Sequence, residues 1–379
     1  MKAWVLEKAG EIHFKETDIK KPSFGEVLIR VKRCGICGSD IPRIFKDGAH
    51  VMPLIPGHEF SGEVVCVGGG VPEQWLNKRV GISPLIPCRK CGPCLSGRYE
   101  LCRSYDYLGS RRDGGYAEYA LVPADNLILL PENVSYEQAA MLEPMAVAAH
   151  AVRRLLCSFP EAPGSCTDKR AAVFGQGTIG LMILMLLLRE GIRDVCVFGN
   201  HDIQKQKAVE LGLSEDAFCD IRSEDINSRA LERTGGAGFD LSFEAVGSRD
   251  NLKRVIGLSA PSSRVCLIGN PGSDMELERN VYWKLLRNQL SVCGSWNSSF
   301  VPGCGSKALS GKGMDGNRSH TPEEPLDDWS YVMRLMEDGG LHPEKLITHR
   351  YELKDAYRGL ELMRDKKEEY IKIMLTDRE

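Results

Sequence analysis

The sequence has no apolar run long enough to cross a membrane. Its longest, Ile179 to Leu188 (IGLMILMLLL), falls far short of the roughly 20 residues a spanning helix needs and reads as a helix buried against a sheet. The opening MKAWVLEKAG lacks the apolar stretch of a secretory leader, because charge returns at Glu7. No charge of one sign predominates: 49 Lys and Arg face 52 Asp and Glu, for a formal net charge of −3. Nothing in that balance draws nucleic acid or an anionic membrane to the surface as a whole. Aromatics make up only 7%, no basic, aromatic-rich patch stands out, and internal repeats are absent. These absences describe a cytoplasmic chain whose 379 residues, 42% hydrophobic, suffice for two cores.

Cysteine is abundant. Fourteen cysteines are spread along the chain, several inside strand-like runs such as CVFG and RVCLIG, without secretory context, which favours reduced thiols. One group is dense: CRKCGPCLSGRYELC carries Cys88, Cys91, Cys94 and Cys102 in a polar loop. Four thiolates so spaced suit a closed tetrahedral zinc site that stabilises a lobe with no core of its own. An iron–sulfur cluster or disulfides are the alternatives, although ferredoxin-type runs bring their fourth cysteine sooner and before a proline.

A second stretch, CGICGSDIPRIFKDGAHVMPLIPGHEFSG (Cys34 to Gly62), holds the thiol of Cys37, the hydroxyl of Ser39 and the pair His58 and Glu59, framed by glycines. Cys, His and carboxylate are zinc donors, so the stretch is either one side of an open metal site or a glycine-rich hairpin with a buried thiol and a satisfied histidine. Further on, SYEQAAMLEPMAVAAHAVRRLL has helical spacing. Ser135 and Gln138 predict a capping box, and Pro144 is expected to interrupt the first helix at Glu143. A glutamate inside AAMLEPMAVAA needs a cation, and a metal at Cys37 and His58 would supply it. His150 reads as a helix residue.

The first part of the chain reads as short strands: MKAWVL, EVLIRVKRC, GEVVCVG, KRVGIS, YAEYALV and NLILL. Arg111 and Arg112 precede the turn DGG, where they form either a solvated surface or a fork for an anionic substrate group. From about residue 171 strands and helices alternate. AAVFGQGTIGLMILMLLL sets Gly175, Gly177 and Gly180 between strand and helix, a dinucleotide fingerprint with the pyrophosphate expected at Thr178 and Ile179. At the next strand's end Gly199 takes the usual acidic position, followed by Asn200, with Asp202 as a fallback. Loss of the acid and the nearby Arg222 point toward NADP, with NAD the alternative. Val246 and Gly269, at later strand ends, complete the expected cofactor contacts. Residues 301–325, rich in Gly, Ser and Pro, read as an irregular loop.

Taken together, CGICGSD, GHEFSG, the four-cysteine lobe, LEP, VFGQGTIG and LITHR resemble the zinc-dependent medium-chain dehydrogenases end to end, and within them the polyol (sorbitol-type) branch. The resemblance implies an α/β chain with a GroES-like β-rich catalytic domain, a Rossmann doubly wound parallel-sheet cofactor domain, and a site in the cleft. The expected domains are 1–150, 151–290 and a C-terminal return at 291–379. It implies two zinc ions per chain: one catalytic at Cys37, His58 and Glu143, with Glu59 a direct or water-mediated partner, and one structural at Cys88, Cys91, Cys94 and Cys102. It also implies NAD or NADP and a homodimer or homotetramer. Ser39 would take the substrate proton; Pro42 stands where relatives often carry a relay histidine.

The function so implied is hydride transfer from a secondary alcohol of a polyol or sugar-alcohol phosphate. Arg111, Arg112, Lys46 and Lys307 are the candidate phosphate contacts. A neutral polyol such as sorbitol or xylitol is the alternative substrate, and a non-catalytic zinc and nucleotide binder the alternative class.

Overall fold

The computed structural model describes residues 1–156, 167–303 and 327–377. Most of the expected loop 301–325, with Lys307, lies outside the described residues. The chain forms two compact units, one of Met1–Pro144 and Ser299–Glu379, the other of Met145–Ser298.

The first unit is β-rich. Its strands are β1 (Lys2–Lys8), β2 (Glu11–Glu16), β3 (Glu26–Ile36), β4 (Glu59–Val67), β5 (Arg79–Ile82), β6 (Leu85–Ile86), β7 (Asp106–Tyr107), β8 (Tyr119–Pro123) and β9 (Leu127–Leu129). Alternation of apolar and polar residues drives Val27, Ile29 and Val31 of β3 into the core from one face of that strand. Antiparallel pairing of β3 with β4 sets Gly35 opposite Glu59, so the chain just past β3 meets the chain just before β4. Register thus joins Cys37 to His58.

The second unit carries β10 (Ala171–Phe174), β11 (Val195–Gly199), β12 (Phe218–Asp220), β13 (Phe239–Glu244), β14 (Ser259–Leu267) and β15 (Ser291–Gly294). All pair in parallel, in the order β12-β11-β10-β13-β14-β15, the doubly wound arrangement expected of a dinucleotide domain. AAVF and VCVFG are buried at every residue, as strands covered on both faces must be.

The chain then returns to the first unit with β16 (Ile347–Glu352) and β17 (Lys372–Thr376). β17 runs antiparallel to β3, with Ile373 opposite Ile36, in a sheet ordered β16-β17-β3-β4-β5-β9 with β8 also on β3.

One local expectation is corrected. The capping box at Ser135 and Gln138 forms, but the first helix, Tyr136–Ala140, ends before Met141 rather than at Glu143. Pro144 lies in the first turn of the next helix, Leu142–Leu156, where its missing N–H has no intrahelical partner to lose.

Candidate active site

Cys37, His58 and Glu59 converge, with one ligand atom from each lying within 4.8 Å of the others. Glycine makes the convergence possible. A Cβ on Gly35 would fall 2.1 Å from Glu59 Oε2, and one on Gly57, at φ +93°, would strike the Tyr116 ring at 2.4 Å. The Ser39 hydroxyl, exposed to solvent, donates to Cys37 Sγ at 3.3 Å.

Behind this cluster lies Asp40, fully buried. It accepts from the Cys37 backbone N–H at 3.1 Å and from the Tyr116 hydroxyl at 2.8 Å, and it pairs with Arg43. Its Oδ1 stands 3.5 Å from His58 Nδ1, which leaves Nε2 as the ring nitrogen for a metal. Burial alone would raise the Asp40 carboxyl, but His58, Arg43 and Tyr116 outweigh it and hold it at about 2. Burial likewise opposes a charged His58, yet Asp40 and the Cys37 thiol raise it well above its usual range.

Glu143 is buried but stands outside that close trio, its Oε1 accepting from the Tyr107 hydroxyl at 3.1 Å. Burial pushes its carboxyl up to about 7, against the pull of the His58 charge; Glu59 adds to the rise. Lys372, from β17, forms an ion pair with Glu59, the two side chains 3% and 1% exposed. Burial would lower the Lys372 ammonium, but Glu59 and Cys37 carry it upward. An extra carboxylate beside a thiol and an imidazole is the donor chemistry of an open zinc site, and the residues fit such an ion.

The four cysteines fit a second. Sγ separations are 3.5 Å for Cys91–Cys94, 3.9 Å for Cys91–Cys102 and 4.0 Å for Cys88–Cys94. A tetrahedron with zinc–sulfur bonds of about 2.3 Å has edges of about 3.8 Å.

In the parallel sheet, strand order reverses between β10 and β13, where ligands sit beyond the carboxyl ends. The three fingerprint glycines differ there. Gly175 turns at φ +95°; a Cβ on Gly180 would lie 1.8 Å from the Gly175 carbonyl oxygen; a Cβ on Gly177 would meet nothing within 4 Å. Turn, close packing and open approach are what a pyrophosphate cradle requires, at a helix N-terminus (Thr178, then Ile179) with no side-chain cap. A Cβ on Gly175 would also meet Val246, and Gly269 packs against Gly247, so these predicted contacts gather at one edge. Gly199 offers no side chain, and the Asn200 N–H donates to Gln204. Arg222 is paired with Asp202 and Asp220.

The remaining expected cations separate. Arg112 is 2.6 Å from Glu26, Arg111 lies over the Tyr105 ring at 4.7 Å, and Lys46 is exposed. Asp40, Tyr107, Tyr116 and Lys372 were not anticipated. Only Lys372 carried a signal: a lysine inside the strand run IKIML poses the same question as Glu143 in its apolar helix.

Comparison with known proteins agrees with this geometry. Residues 23–132 match the alcohol dehydrogenase GroES-like domain and residues 178–309 the zinc-binding dehydrogenase family. Galactitol 1-phosphate 5-dehydrogenase of Escherichia coli K12 is 32% identical over 353 residues, 92% of each chain. L-threonine 3-dehydrogenase of Pyrococcus abyssi is 30% identical, over 95% of this chain and 94% of its own. The crystal structure of galactitol-1-phosphate dehydrogenase from Escherichia coli superposes with a TM-score of 0.83 at 29% identity, covering 99% of this chain and 100% of that one. A short chain alcohol dehydrogenase (RspB) from Escherichia coli CFT073, complexed with NADH, gives 0.82 at 28% identity, with 99% of each chain covered. A zinc-binding dehydrogenase from Sinorhizobium meliloti, bound to NADP, gives 0.82 at 25% identity over 99% and 98%. With a thiol–imidazole–carboxylate cluster, a four-cysteine lobe and a glycine cradle on a doubly wound sheet, the chain belongs to the zinc-dependent medium-chain dehydrogenases, oxidoreductases with a GroES-like domain and a Rossmann-like parallel sheet.

Proposed function

We propose that this oxidoreductase acts on a secondary alcohol of a sugar-alcohol phosphate, galactitol 1-phosphate or a close analogue, with NAD or NADP as oxidant. The convergence of Cys37, His58 and Glu59 carries the reading, with Glu143 as the further ligand. A zinc ion held by these side chains would lower the pKa of a bound alcohol, and a nicotinamide would accept hydride. The chain's own part is to hold and move charge. Asp40 braces His58, Lys372 holds Glu59, and Ser39 takes the substrate proton at Oγ, exposed enough to pass it to water because Pro42 offers no next donor.

Arg111, stacked on Tyr105 and free of any carboxylate among the described residues, is the proposed contact for the phosphate; Arg112 spends its charge on Glu26. Gly199 in place of an acid favours NADP, by removing repulsion against a 2′-phosphate. A cytoplasmic homo-oligomer goes with the reading. The edge strand β15 leaves Val292 exposed and pairs only with β14 among the described residues, and no described helix is long and apolar enough to cross a membrane.

The test is a spectrophotometric panel of phosphorylated polyols, free polyols such as sorbitol and xylitol, and L-threonine, each with NAD⁺ and NADP⁺. Turnover of a polyol phosphate, its abolition in Cys37→Ala with cofactor binding retained, and a loss of phosphate preference in Arg111→Ala are expected. Normal activity in Cys37→Ala sinks the assignment; preference for a free polyol or L-threonine moves the substrate.

A further inference from the structure

Tyr107 touches both sides of the cluster. Its hydroxyl donates to Glu143 Oε1 at 3.1 Å, and its ring centroid lies 5.9 Å from that of His58, inclined by 59°. On its other side the ring meets Tyr105 edge-on at 6.1 Å. The tyrosine's backbone is equally fixed. β7 pairs with β6, setting Tyr107 opposite Leu85, and the Leu108 N–H donates to the Pro84 carbonyl at 3.0 Å. The Tyr107 carbonyl accepts from Arg111 at 2.9 Å and from Arg112 at 3.1 Å, closing the turn that follows. Buried Asn126 clamps the other strand, donating to the carbonyls of Ser83 and Leu85 at 2.7 and 2.8 Å.

Between β6 and β7 the chain makes one excursion, and that excursion is the four-cysteine lobe, from Cys88 to Cys102. The lobe therefore leaves and re-enters the unit through the two short strands that position Tyr107. We propose that Tyr107 is a positioning residue for the Glu143 carboxylate, and that closure of the four-thiolate lobe fixes where this tyrosine stands. A carboxylate free to rotate presents its lone pairs in many directions. One held by a hydroxyl at Oε1 presents Oε2 in a single direction, so a metal ion dissociates more slowly. The lobe is in this account part of the catalytic site's support as well as a local clamp.

The inference rests on the assignment of Cys37, His58 and Glu143 as ligands of one ion, and its test keeps the two apart. Wild-type protein loaded with zinc is expected to hold two equivalents, and Cys37→Ser to lose one; failure of either overturns the ligand assignment rather than the role of Tyr107. Tyr107→Phe, which keeps the ring and removes the donor, is then expected to release one equivalent to a chelator about 10–100-fold faster than wild type while the other equivalent stays. A wild-type release rate in Tyr107→Phe overturns the positioning role. For the lobe, Cys91→Ser, or Leu85→Ala should Cys91→Ser fail to fold, is expected to speed release from the Cys37 site as well. Combined with Tyr107→Phe, either variant should add little further. Fully additive rates, or a Cys37 site indifferent to both variants, overturn the link.

Discussion

Lys372 and Glu59 form an ion pair shielded from water almost completely, and the pair comes from strands more than three hundred residues apart. Removing both charges from water is expensive, and attraction repays the cost only while both partners are present. Gly35, opposite Glu59 in the register, makes the space: a Cβ there would lie 2.9 Å from Lys372 Cε as well as against the carboxylate. Lys372→Met keeps the stem and removes the charge, leaving the Glu59 carboxylate buried with no ammonium. That variant is expected to lose about 3–5 kcal/mol of stability, read as a lower urea midpoint at unchanged slope. An unshifted midpoint would mean that Glu59 is neutral or held by something else. Nothing adjacent in sequence announces this pair. A lysine in IKIML is legible as unusual, but its partner is chosen by the antiparallel docking of β17 on β3, which no local pattern encodes.

The strand–turn–helix element at Gly175 to Arg189 shows what local pattern does encode. Glycine spacing and the apolar run that follows are short-range features, and they specify a turn, a close crossing and a helix without help from the rest of the chain. The alternating strands and helices of the second unit were legible for the same reason, as were the capping box at Ser135 and the spacing of the four cysteines. Less legible was the end of the helix at Ala140, because the proline expected to set it is tolerated in the first turn of the next helix. Asp40, Tyr107 and Tyr116 were out of reach altogether, since each acts through a side-chain contact with a residue far along the chain.

The glycine element yields a paired prediction. Gly180→Ala drives a Cβ toward the Gly175 carbonyl oxygen and is expected to cost about 1–3 kcal/mol of stability through overpacking. Gly177→Ala meets no neighbour and is expected to leave the unfolding midpoint in place, yet to weaken nicotinamide dinucleotide binding about tenfold, or 1.4 kcal/mol. Fluorescence titration and urea unfolding of the two variants read both quantities. Unaltered affinity in Gly177→Ala would remove the pyrophosphate from this cradle.

At the scale of the whole chain, the first unit is discontinuous, and its C-terminal segment must be held to a sheet begun hundreds of residues earlier. Hydrophobic contact does much of this: Ile36, Leu360 and Ile373 are fully or almost fully buried in one core. Charge adds direction. Glu137, on the short helix after β9, receives two hydrogen bonds from Arg350 of β16 at 2.8 and 2.9 Å, and stands 3.7 Å from Arg33 of β3. The bidentate contact with Arg350 leads in holding the Glu137 carboxyl below its ordinary value of 4.5, and Arg33 assists, against the opposing effect of burial. A carboxyl depressed in the folded state stabilises fully above its unfolded value, and that contribution fades as pH falls through its folded value. Glu137→Gln removes it at every pH. Near neutrality the variant is therefore expected to be less stable by about 1–2 kcal/mol, since the contact is partly open to water. The gap should close as pH drops below about 4.5, because protonated wild type and Gln then differ little. Acid release of metal from cysteine and histidine sites affects both proteins alike, so the difference between their urea midpoints isolates Glu137. A gap that stays constant into acid would show that Glu137 acts through packing, and that its charge adds nothing to the docking of β16 on this sheet.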